Sequence, residues 1–426
     1  MKDIVLVVYY HKHNKFSFNA LIGALDSLDF YNDLKIVFFT GKNDLIKGLR
    51  KIIVKYKKVV LGVSFFTTQI WEINELITTI RTLYNKDVII IAGGPHPTGD
   101  PIGTLKIGAD IAVVGEGEDT LIELLQNINK GGNLSNVKGI GYINSNGNYE
   151  YTGKRTPISL DKYPPFPLKN RRFGALEITR GCPFVCFFCQ TSYIFGTRPR
   201  HRSIESICKH VRIMKEENLS DIRFITPNAL CYGSSDGKTL NISKLEELLV
   251  KVKEIVSPGG RIFFGSFPSE VRPEHVTIET LNLITSYADN DNIIIGAQSG
   301  SQKILDSCHR GHTVKDVYKA VDLTLKVKLK ANVDFIFGLP NESVEDINLT
   351  IRLMEDLVKR GARIHAHSFI PLPMTPFAKE PATIINEHIK SKLKSSLLGS
   401  KVFGEWKKQE EMAIKITQYL KTKKIS

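Results

Sequence analysis

The chain has 426 residues, about three times the length of a typical domain, which excludes a single small disulfide-stapled fold and predicts two or three compact units. Hydrophobic residues make up 42% of the chain and charged residues 24%, a composition that excludes wholesale disorder. Lysine and arginine outnumber acidic residues by 58 to 44, which favours anionic partners, although the lack of an aromatic-interleaved basic patch argues against nucleic acid.

Strand-like apolar runs alternate with amphipathic helical segments over the first 150 residues. No run reaches the roughly 20 apolar residues that span a bilayer, so no membrane segment is expected and the N-terminus is interpreted as a first strand. The alternation predicts a Rossmann-like, doubly wound α/β domain over residues 1–165, with a hairpin at 139–152 and a proline-rich boundary near 165. The predicted strands are 4–9, 35–40, 59–66, 88–92 and 111–114.

A second alternation of strands and helices begins at residue 174. Three of its helices are expected to open with a hydroxyl-x-x-acid cap, at Ser243, Thr313 and Ser343. The repeated units predict a partial (β/α)6 barrel of the TIM type over residues 166–380, followed by a helical, lysine-rich extension over 381–426 that packs on it. The predicted strands are 175–179, 222–226, 262–267, 293–297, 333–337 and 365–370.

The sharpest chemical signal is the loop RGCPFVCFFC at residues 180–189, directly after a predicted strand. Its soft thiolates are Cys182, Cys186 and Cys189, and such ligands select zinc, copper(I) or iron–sulfur clusters. A structural zinc site requires a fourth ligand at matching spacing, whereas three ligands leave one iron of a four-iron cluster open. Buried apolar filler is the alternative, but filler does not require this spacing. Crowded, unpaired thiols also predict a reducing cytoplasm.

This loop resembles the signature of the radical S-adenosylmethionine (SAM) superfamily, CxxxCxxC with an aromatic residue before the last cysteine, here Phe188. The resemblance implies that Cys182, Cys186 and Cys189 ligate a [4Fe–4S] cluster. It also implies that the open iron chelates the amino and carboxylate groups of SAM, and that an electron donor such as ferredoxin or flavodoxin is a partner.

Further segments in the second half are similar to motifs of the same superfamily. The string GAQSGS at 296–301 resembles the strand end at which polar groups meet SAM, which implicates Gln298 and Ser299. FGLP at 337–340 and the segment 369–376 resemble its last strands. After the third strand, Glu270 and Arg272 are candidates for contact with SAM, and an exposed ion pair is the alternative.

The second barrel strand departs from the superfamily pattern, because 224–229 replaces the acidic or glycine-rich ending that is common in relatives. Cys231 lies just beyond it, at the expected rim of the active site. We therefore treat Cys231 as a candidate thiol acid or hydrogen donor, with a plain buried thiol as the alternative.

Three loops of the first domain follow predicted strands, at the edge where doubly wound sheets bind ligands. They contain neither a GxGxxG after the first strand nor a GxxxxGK[ST] motif, so a dinucleotide or nucleoside triphosphate is not indicated. The strings GGPHPT at 93–98 and VVGEGE at 113–118 resemble the cobalamin-binding domain of B12-dependent radical SAM enzymes. The candidate cobalamin contacts are Ser64, Thr67, Gly93, Gly94, His96, Gly115, Glu116 and Gly117.

Other cobalamin domains coordinate cobalt through the histidine of DxHxxG, a string that does not occur here. The resemblance therefore implies cobalamin bound without a histidine as its lower ligand, and His96 is interpreted as ordering its loop. The alternative is a front domain that keeps the fold, holds no cofactor and acts as a lid.

The resemblance implies a cobalamin-dependent methyltransferase that acts on an unactivated carbon through a 5′-deoxyadenosyl radical. The substrate is expected to be an anionic small molecule or an anionic protein side chain. One alternative is a radical SAM enzyme of another type, such as a cyclase, a rearranging enzyme or a methylthio transferase. Methylthio transferases usually add cysteines to the front domain, and residues 1–170 contain none. The second alternative is a non-enzymatic iron–sulfur or corrinoid-binding protein.

Overall fold

The computed structural model describes residues 2–28, 34–385, 387–393 and 401–425, so residues 386, 394–400 and 426 of the predicted extension lie outside the described residues. The chain divides into two compact units, the first comprising mainly residues 1–158 and 162–174 and the second mainly 175–424. The boundary predicted near residue 165 and the separate status of 381–426 stay predictions. Within the described residues, no helix is long and apolar enough to cross a membrane.

The first unit is built on a seven-stranded sheet in the order β2-β1-β3-β4-β5-β6-β7. Strands β1 to β5 are parallel, and β6 and β7 continue the sheet as an antiparallel hairpin. The strands are β1 (Lys2–Tyr9), β2 (Lys35–Phe39), β3 (Tyr56–Ser64), β4 (Val88–Gly93), β5 (Ile111–Val113), β6 (Ile140–Ile143) and β7 (Tyr149–Tyr151). The helices are α1 (Lys15–Asp26), α2 (Lys42–Ile53), α3 (Ile70–Tyr84), α4 (Pro95–Gly99), α5 (Pro101–Lys106) and α6 (Glu118–Lys130).

The core of this sheet is apolar on both faces because helices cover both of them. Residues 5–8 of β1 are at most 1% exposed, and Leu6 and Val8 pack in one cluster with Phe18 and Ile22 of α1. The predicted doubly wound domain is confirmed. The predicted hairpin is also present, and it extends the parallel sheet.

The second unit contains two parallel sheet segments, β12-β11-β8 and β13-β14-β15-β16. A parallel bridge between Val271 and Ile295 links them, which gives the predicted partial barrel. The strands are β8 (Leu176–Glu177), β9 (Thr179–Arg180), β10 (Arg200–His201), β11 (Asp221–Ile225), β12 (Arg261–Phe263), β13 (Asn292–Gln298), β14 (Lys330–Phe337), β15 (Arg363–Ser368) and β16 (Val402–Phe403). The helices are α7 (Thr191–Phe195), α8 (Ile204–Glu216), α9 (Ile242–Val256), α10 (Ile278–Tyr287), α11 (Gln302–Ser307), α12 (Val314–Lys326), α13 (Val344–Arg360), α14 (Glu387–Leu393) and α15 (Trp406–Thr422).

Two of the three predicted helix caps are correct. Thr313 and Ser343 begin α12 and α13 with reciprocal capping boxes. The cap at Ser243 is wrong, because α9 begins two residues earlier, with Asn241 as the N-cap that accepts the backbone N–H of Lys244. Asparagine is among the strongest N-cap residues, so the earlier start leaves Ser243 inside the first turn.

The described part of the segment after Pro381 contains the helices α14 and α15, and it also supplies a strand. β16 pairs in parallel with β15, and α15 contacts the end of β15 through Ser368. The Ser368 hydroxyl donates to the carbonyl of Trp406, and its backbone N–H donates to Gln409. The barrel sheet therefore ends on a strand from the C-terminal segment.

Candidate functional site

The three-cysteine loop follows β9 and is fixed by backbone hydrogen bonds. The N–H of Cys182 donates to the carbonyl of Gly196 at 3.1 Å, and that of Cys189 donates to Cys186 at 3.0 Å. Gly181 has a φ of 91°, and a Cβ there would lie 2.6 Å from the carbonyl oxygen of Arg198. Glycine is therefore required where the loop folds back.

The cysteine side chains are poorly hydrated. Cys186 is 5% exposed, and burial raises the pKa of Cys182 and raises that of Cys189 to about 11. Burial disfavours the thiolate, so these sulfurs need a cation to hold them deprotonated, which is what iron supplies. Among the described residues, the three sulfurs do not form a donor group within 4.8 Å.

Phe188 and the neighbouring Phe187 anchor this loop to the barrel. Both pack against an apolar cluster that includes Cys308, Leu339 and Phe369. The backbone N–H of Phe187 donates to the carbonyl of Cys308 at 3.0 Å. Cys308 therefore supports the loop through its backbone, while its thiol is buried among apolar side chains.

Two buried arginines lie beside the loop. Arg310 is 5% exposed, and its guanidinium lies 3.7 Å from the sulfur of Cys186 and donates to the carbonyl of Gly296 at 2.8 Å. Arg272 is 2% exposed, stacks on the ring of Phe184 at 3.4 Å and also donates to the carbonyl of Arg310. Buried guanidinium groups offset the negative charge of nearby thiolates. Arg310 was missed in the sequence, where its only signal was a position two residues after Cys308.

Gln298 ends β13 in an unusual conformation. The pairing of β13 with β14 shifts between Gly296 and Gln298, and Gln298 has a φ of 71°. Such a conformation costs roughly 1–3 kcal/mol for a residue with a side chain and is concentrated at functional sites. The residue is 6% exposed. Its backbone conformation therefore marks Gln298 as a candidate contact for a ligand.

Three polar side chains lie close to the backbone of Gly296, which has no side chain of its own. An added Cβ would lie 2.6 Å from Arg310, 2.8 Å from the amide nitrogen of Gln298 and 3.4 Å from the carboxylate of Glu270. Burial raises the pKa of Glu270, and the charge of Arg310 opposes that shift. By contrast, the hydroxyl of Ser299 contacts that of Thr350 at 3.2 Å and accepts a backbone N–H within its own loop. The roles of Glu270, Arg272, Gln298 and Ser299 toward SAM stay predictions.

Cys231 lies in a short turn after β11 and contacts a histidine. Its sulfur lies 3.3 Å from Nδ1 of His275, which also receives the amide of Asn228 at 2.7 Å. Burial raises the pKa of the thiol to about 12, so it is protonated at neutral pH. Its catalytic role stays a prediction. Cys208 lies on the buried face of α8, apart from the cysteine loop in sequence.

In the first unit, the three predicted loops meet at the carboxyl edge of the parallel strands. The N–H of Phe65 donates to the carbonyl of Gly93 at 3.1 Å, and the N–H of His96 donates to the carbonyl of Phe65 at 3.2 Å. The N–H of Gly115 donates to the hydroxyl of Thr98 at 3.1 Å. The loops that follow β3, β4 and β5 therefore form one hydrogen-bonded surface.

Glycine is favoured at two positions on this surface for different physical reasons. Gly94 has a φ of 99°, and a Cβ there would lie 2.8 Å from the hydroxyl of Ser64. Gly115 has a φ of 91°, but a Cβ there would meet no atom within 4 Å. Gly115 therefore presents bare backbone to open space, which is the kind of cradle that a large flat ligand requires.

The remaining candidate residues of these loops mostly contact other groups of the protein. His96 is fully buried, stacks on Phe65 and lies 3.1 Å from the hydroxyl of Thr67. Glu116 is 8% exposed and accepts the N–H of Ile158. Gly117 precedes α6 and Gly93 ends β4. Their contact with cobalamin, and that of Ser64 and Thr67, stays a prediction.

Asn14 was missed in the sequence, although it joins two strand ends at the same edge. Its amide donates to the carbonyls of Tyr9 and Ser64, and its oxygen accepts the N–H of His11. No sequence motif marks such a residue, because one of its partners, Ser64, is 50 positions away.

Comparisons with known proteins agree with these two sites. Residues 2–125 match the family model of the B12 binding domain, and residues 176–354 match that of the radical SAM superfamily. A protein of Pyrococcus horikoshii named as an uncharacterized methyltransferase is 27% identical over 344 residues, covering 76% of this chain and 70% of that protein. A tRNA-2-methylthio-N(6)-dimethylallyladenosine synthase of Sulfurihydrogenibium sp. is 27% identical over 263 residues, covering 61% of this chain and 57% of that protein.

Among solved structures, the chain is similar to the radical SAM methyltransferase TsrM from Kitasatospora setae, determined with cobalamin and a [4Fe–4S] cluster bound. The TM-score is 0.68 with 18% identity, and the match covers 89% of this chain and 77% of that one. At this identity the likeness concerns the fold. The predicted fold and the predicted family resemblance are both confirmed.

Proposed function

Because this chain belongs to the radical SAM enzymes that carry an N-terminal B12-binding domain, we propose that it is a cobalamin-dependent methyltransferase acting on an unactivated carbon. The observation that carries the proposal is the presence of two cofactor cradles in one chain. One is the loop of three cysteines, of which Cys186 is buried and the other two are partly exposed, and the other is the surface of glycine loops with open backbone at Gly115.

In the second unit, residues of the chain would bind the cluster and orient SAM. Cys182, Cys186 and Cys189 would hold the [4Fe–4S] cluster to which SAM binds. Arg310, beside Cys186, balances the charge of the thiolates. The amide of Gln298, which lies beside Gly296, is suited to a polar group of SAM.

In the first unit, the loops after β3, β4 and β5 hold the corrin ring, and their hydrogen bonds keep the surface rigid. When bound, the cluster with SAM supplies a 5′-deoxyadenosyl radical, and cobalamin supplies a transferable methyl group. His96 is fully buried and held by Thr67, so it orders the loop and is not placed to ligate cobalt. Cobalamin is therefore bound without a lower histidine from that position.

A second candidate is methylthio transfer, which the similarity to the Sulfurihydrogenibium protein favours. Against it, the first 170 residues contain no cysteine, whereas methylthio transferases usually carry additional cysteines there. The methyltransferase proposal is therefore preferred. An anionic substrate and a ferredoxin-like or flavodoxin-like electron donor are proposed as partners from the net charge of +14.

The experiment uses the full chain, reconstituted without oxygen with iron, sulfide and hydroxocobalamin. The proposal predicts that the isolated protein retains corrinoid, and that reduction with SAM yields methionine and 5′-deoxyadenosine. With SAM labelled in its methyl group, label should pass to the corrinoid. Nucleoside formation without corrinoid retention would refute the cobalamin-dependent reaction, and loss of both would refute the radical SAM assignment of the active site.

A further inference from the structure

A cluster of metal-ligating side chains lies outside the two cofactor cradles. Oδ1 of Asp334 and Nδ1 of His365 are 3.1 Å apart, and Nδ1 of His365 and Nε2 of His367 are also 3.1 Å apart. All three donor atoms lie within 4.8 Å of one another. In the part of the chain that the structure describes, no other group of three His, Cys, Asp or Glu donors is this close.

Strand register brings these residues together. Asp334 of β14 is the direct partner of His365 on β15, and His367 follows two positions later on the same strand face. The alternate residues Val333 and Ile364 are fully buried on the opposite face. The donors are accessible by comparison, since the side chain of His365 is 31% exposed and that of Asp334 is 14% exposed.

The donor spacing matches a single bound ion. An ion with metal–nitrogen distances of roughly 2.0–2.1 Å places neighbouring ligands about 3.0–3.4 Å apart. Hydrogen bonding alone does not satisfy the cluster, because Nδ1 of His365 faces both the carboxylate of Asp334 and Nε2 of His367 and can carry only one proton. A cation at the point where the three lone pairs meet satisfies all of them.

We propose that Asp334, His365 and His367 form a binding site for a divalent first-row transition-metal ion of the zinc type. Two histidines and one carboxylate suit such ions and leave coordination positions open. Those positions can take an oxygen of a substrate. Two residues before Asp334 on the same strand face, Asn332 has a buried side-chain oxygen that lacks a hydrogen-bond partner among the described residues.

Gln409 of α15 contacts the other ring nitrogen of His367. Its amide nitrogen lies 3.3 Å from Nδ1 of His367, and its oxygen accepts the N–H of Ser368 at 2.9 Å. Metal binding through Nε2 requires a proton on Nδ1, which must then find an acceptor. For the Gln409 oxygen to accept that proton in the wild-type chain, the amide has to rotate, which breaks its hydrogen bond with the N–H of Ser368. A glutamate at position 409 accepts both hydrogen bonds at once.

The test measures zinc binding by the full chain after anaerobic reconstitution, so that iron already occupies the three cysteines. The protein is incubated with Zn²⁺, desalted, and analysed for zinc and iron by mass spectrometry, with the dissociation constant taken from calorimetry. Wild type should retain one zinc per chain with unchanged iron. His365→Ala/His367→Ala should lose it, and Asp334→Asn should weaken binding at least tenfold while preserving the shape of the site.

Two further variants make the result specific. Gln409→Glu should bind zinc about tenfold more tightly, because the carboxylate orients His367 as a ligand. His11→Ala/His13→Ala removes another neighbouring histidine pair, with ring centroids 5.0 Å apart, and should leave the zinc content unchanged.

Failure of wild type to retain zinc would overturn the proposal. So would equal retention by wild type and His365→Ala/His367→Ala when both have the same iron content and thermal unfolding midpoint. None of these readouts depends on SAM cleavage or methyl transfer, so the metal site and the proposed function can fail independently.

Discussion

Replacing Gly115 with alanine separates the cost of backbone strain from the loss of a ligand cradle. Gly115 has a φ of 91° and would meet no atom within 4 Å of a new Cβ. Gly147, in the turn between β6 and β7, has a φ of 79° and equally open surroundings. Alanine at either position pays only the left-handed backbone penalty of roughly 1–2 kcal/mol.

The two variants should therefore unfold at similar temperatures, about 2–8 °C below wild type, because each kcal/mol shifts a domain of this size by about 2–4 °C. Corrinoid affinity should differ. The methyl group of Gly115→Ala projects into the space proposed for the corrin ring, and we expect at least a tenfold rise in Kd, about 1.4 kcal/mol.

The assay is a titration of each reconstituted variant with hydroxocobalamin, followed by absorbance and equilibrium dialysis. Gly147→Ala should bind like wild type. Unchanged affinity in Gly115→Ala, or an equal loss in both variants, would refute the placement of cobalamin over this loop.

Cys186→Ala should abolish cluster iron and SAM cleavage, whereas Cys208→Ala, which removes a thiol on α8, should keep both, as measured by iron analysis and nucleoside chromatography. Glu342→Gln should stabilise the protein at pH 8.5 by about 2–5 kcal/mol and by almost nothing at pH 4.5, as measured by denaturant unfolding at the two pH values. Burial raises the pKa of this carboxyl to about 8, so the native state loses stability as pH rises from the ordinary value near 4.5 toward 8, and a glutamine still accepts the N–H of Gly338. Arg310→Gln should lower SAM cleavage at least tenfold with the fold intact, and Arg310→Lys should recover part of that loss because it restores the charge beside Cys186.

The features that were predictable from the sequence are those encoded locally. The apolar runs gave the strands of both sheets, since 5–8 in β1 and 59–64 in β3 are fully or almost fully buried. The spacing of Cys182, Cys186 and Cys189 within eight residues marked the cluster loop. The need for glycine at Gly94 was also predictable, because it is a local property of the backbone in the string GGPHPT.

The features that were not predictable depend on tertiary contacts. Arg310 lies 124 positions from Cys186, and Gln409 lies 42 positions from His367. Asp334 and His365 become neighbours only through the register of β14 and β15. The N-cap at Asn241 depends on a competition with Ser243, two residues later, which periodicity does not decide.

β16 has a practical consequence for dissecting this enzyme. It occupies the outer hydrogen-bonding edge of β15, so a fragment that stops before residue 401 would leave that edge bare. Open strand edges template pairing between chains, and such a fragment would self-associate even if the rest of its barrel folded. Truncated versions made to isolate SAM chemistry should therefore retain the segment from 401 to the end of α15.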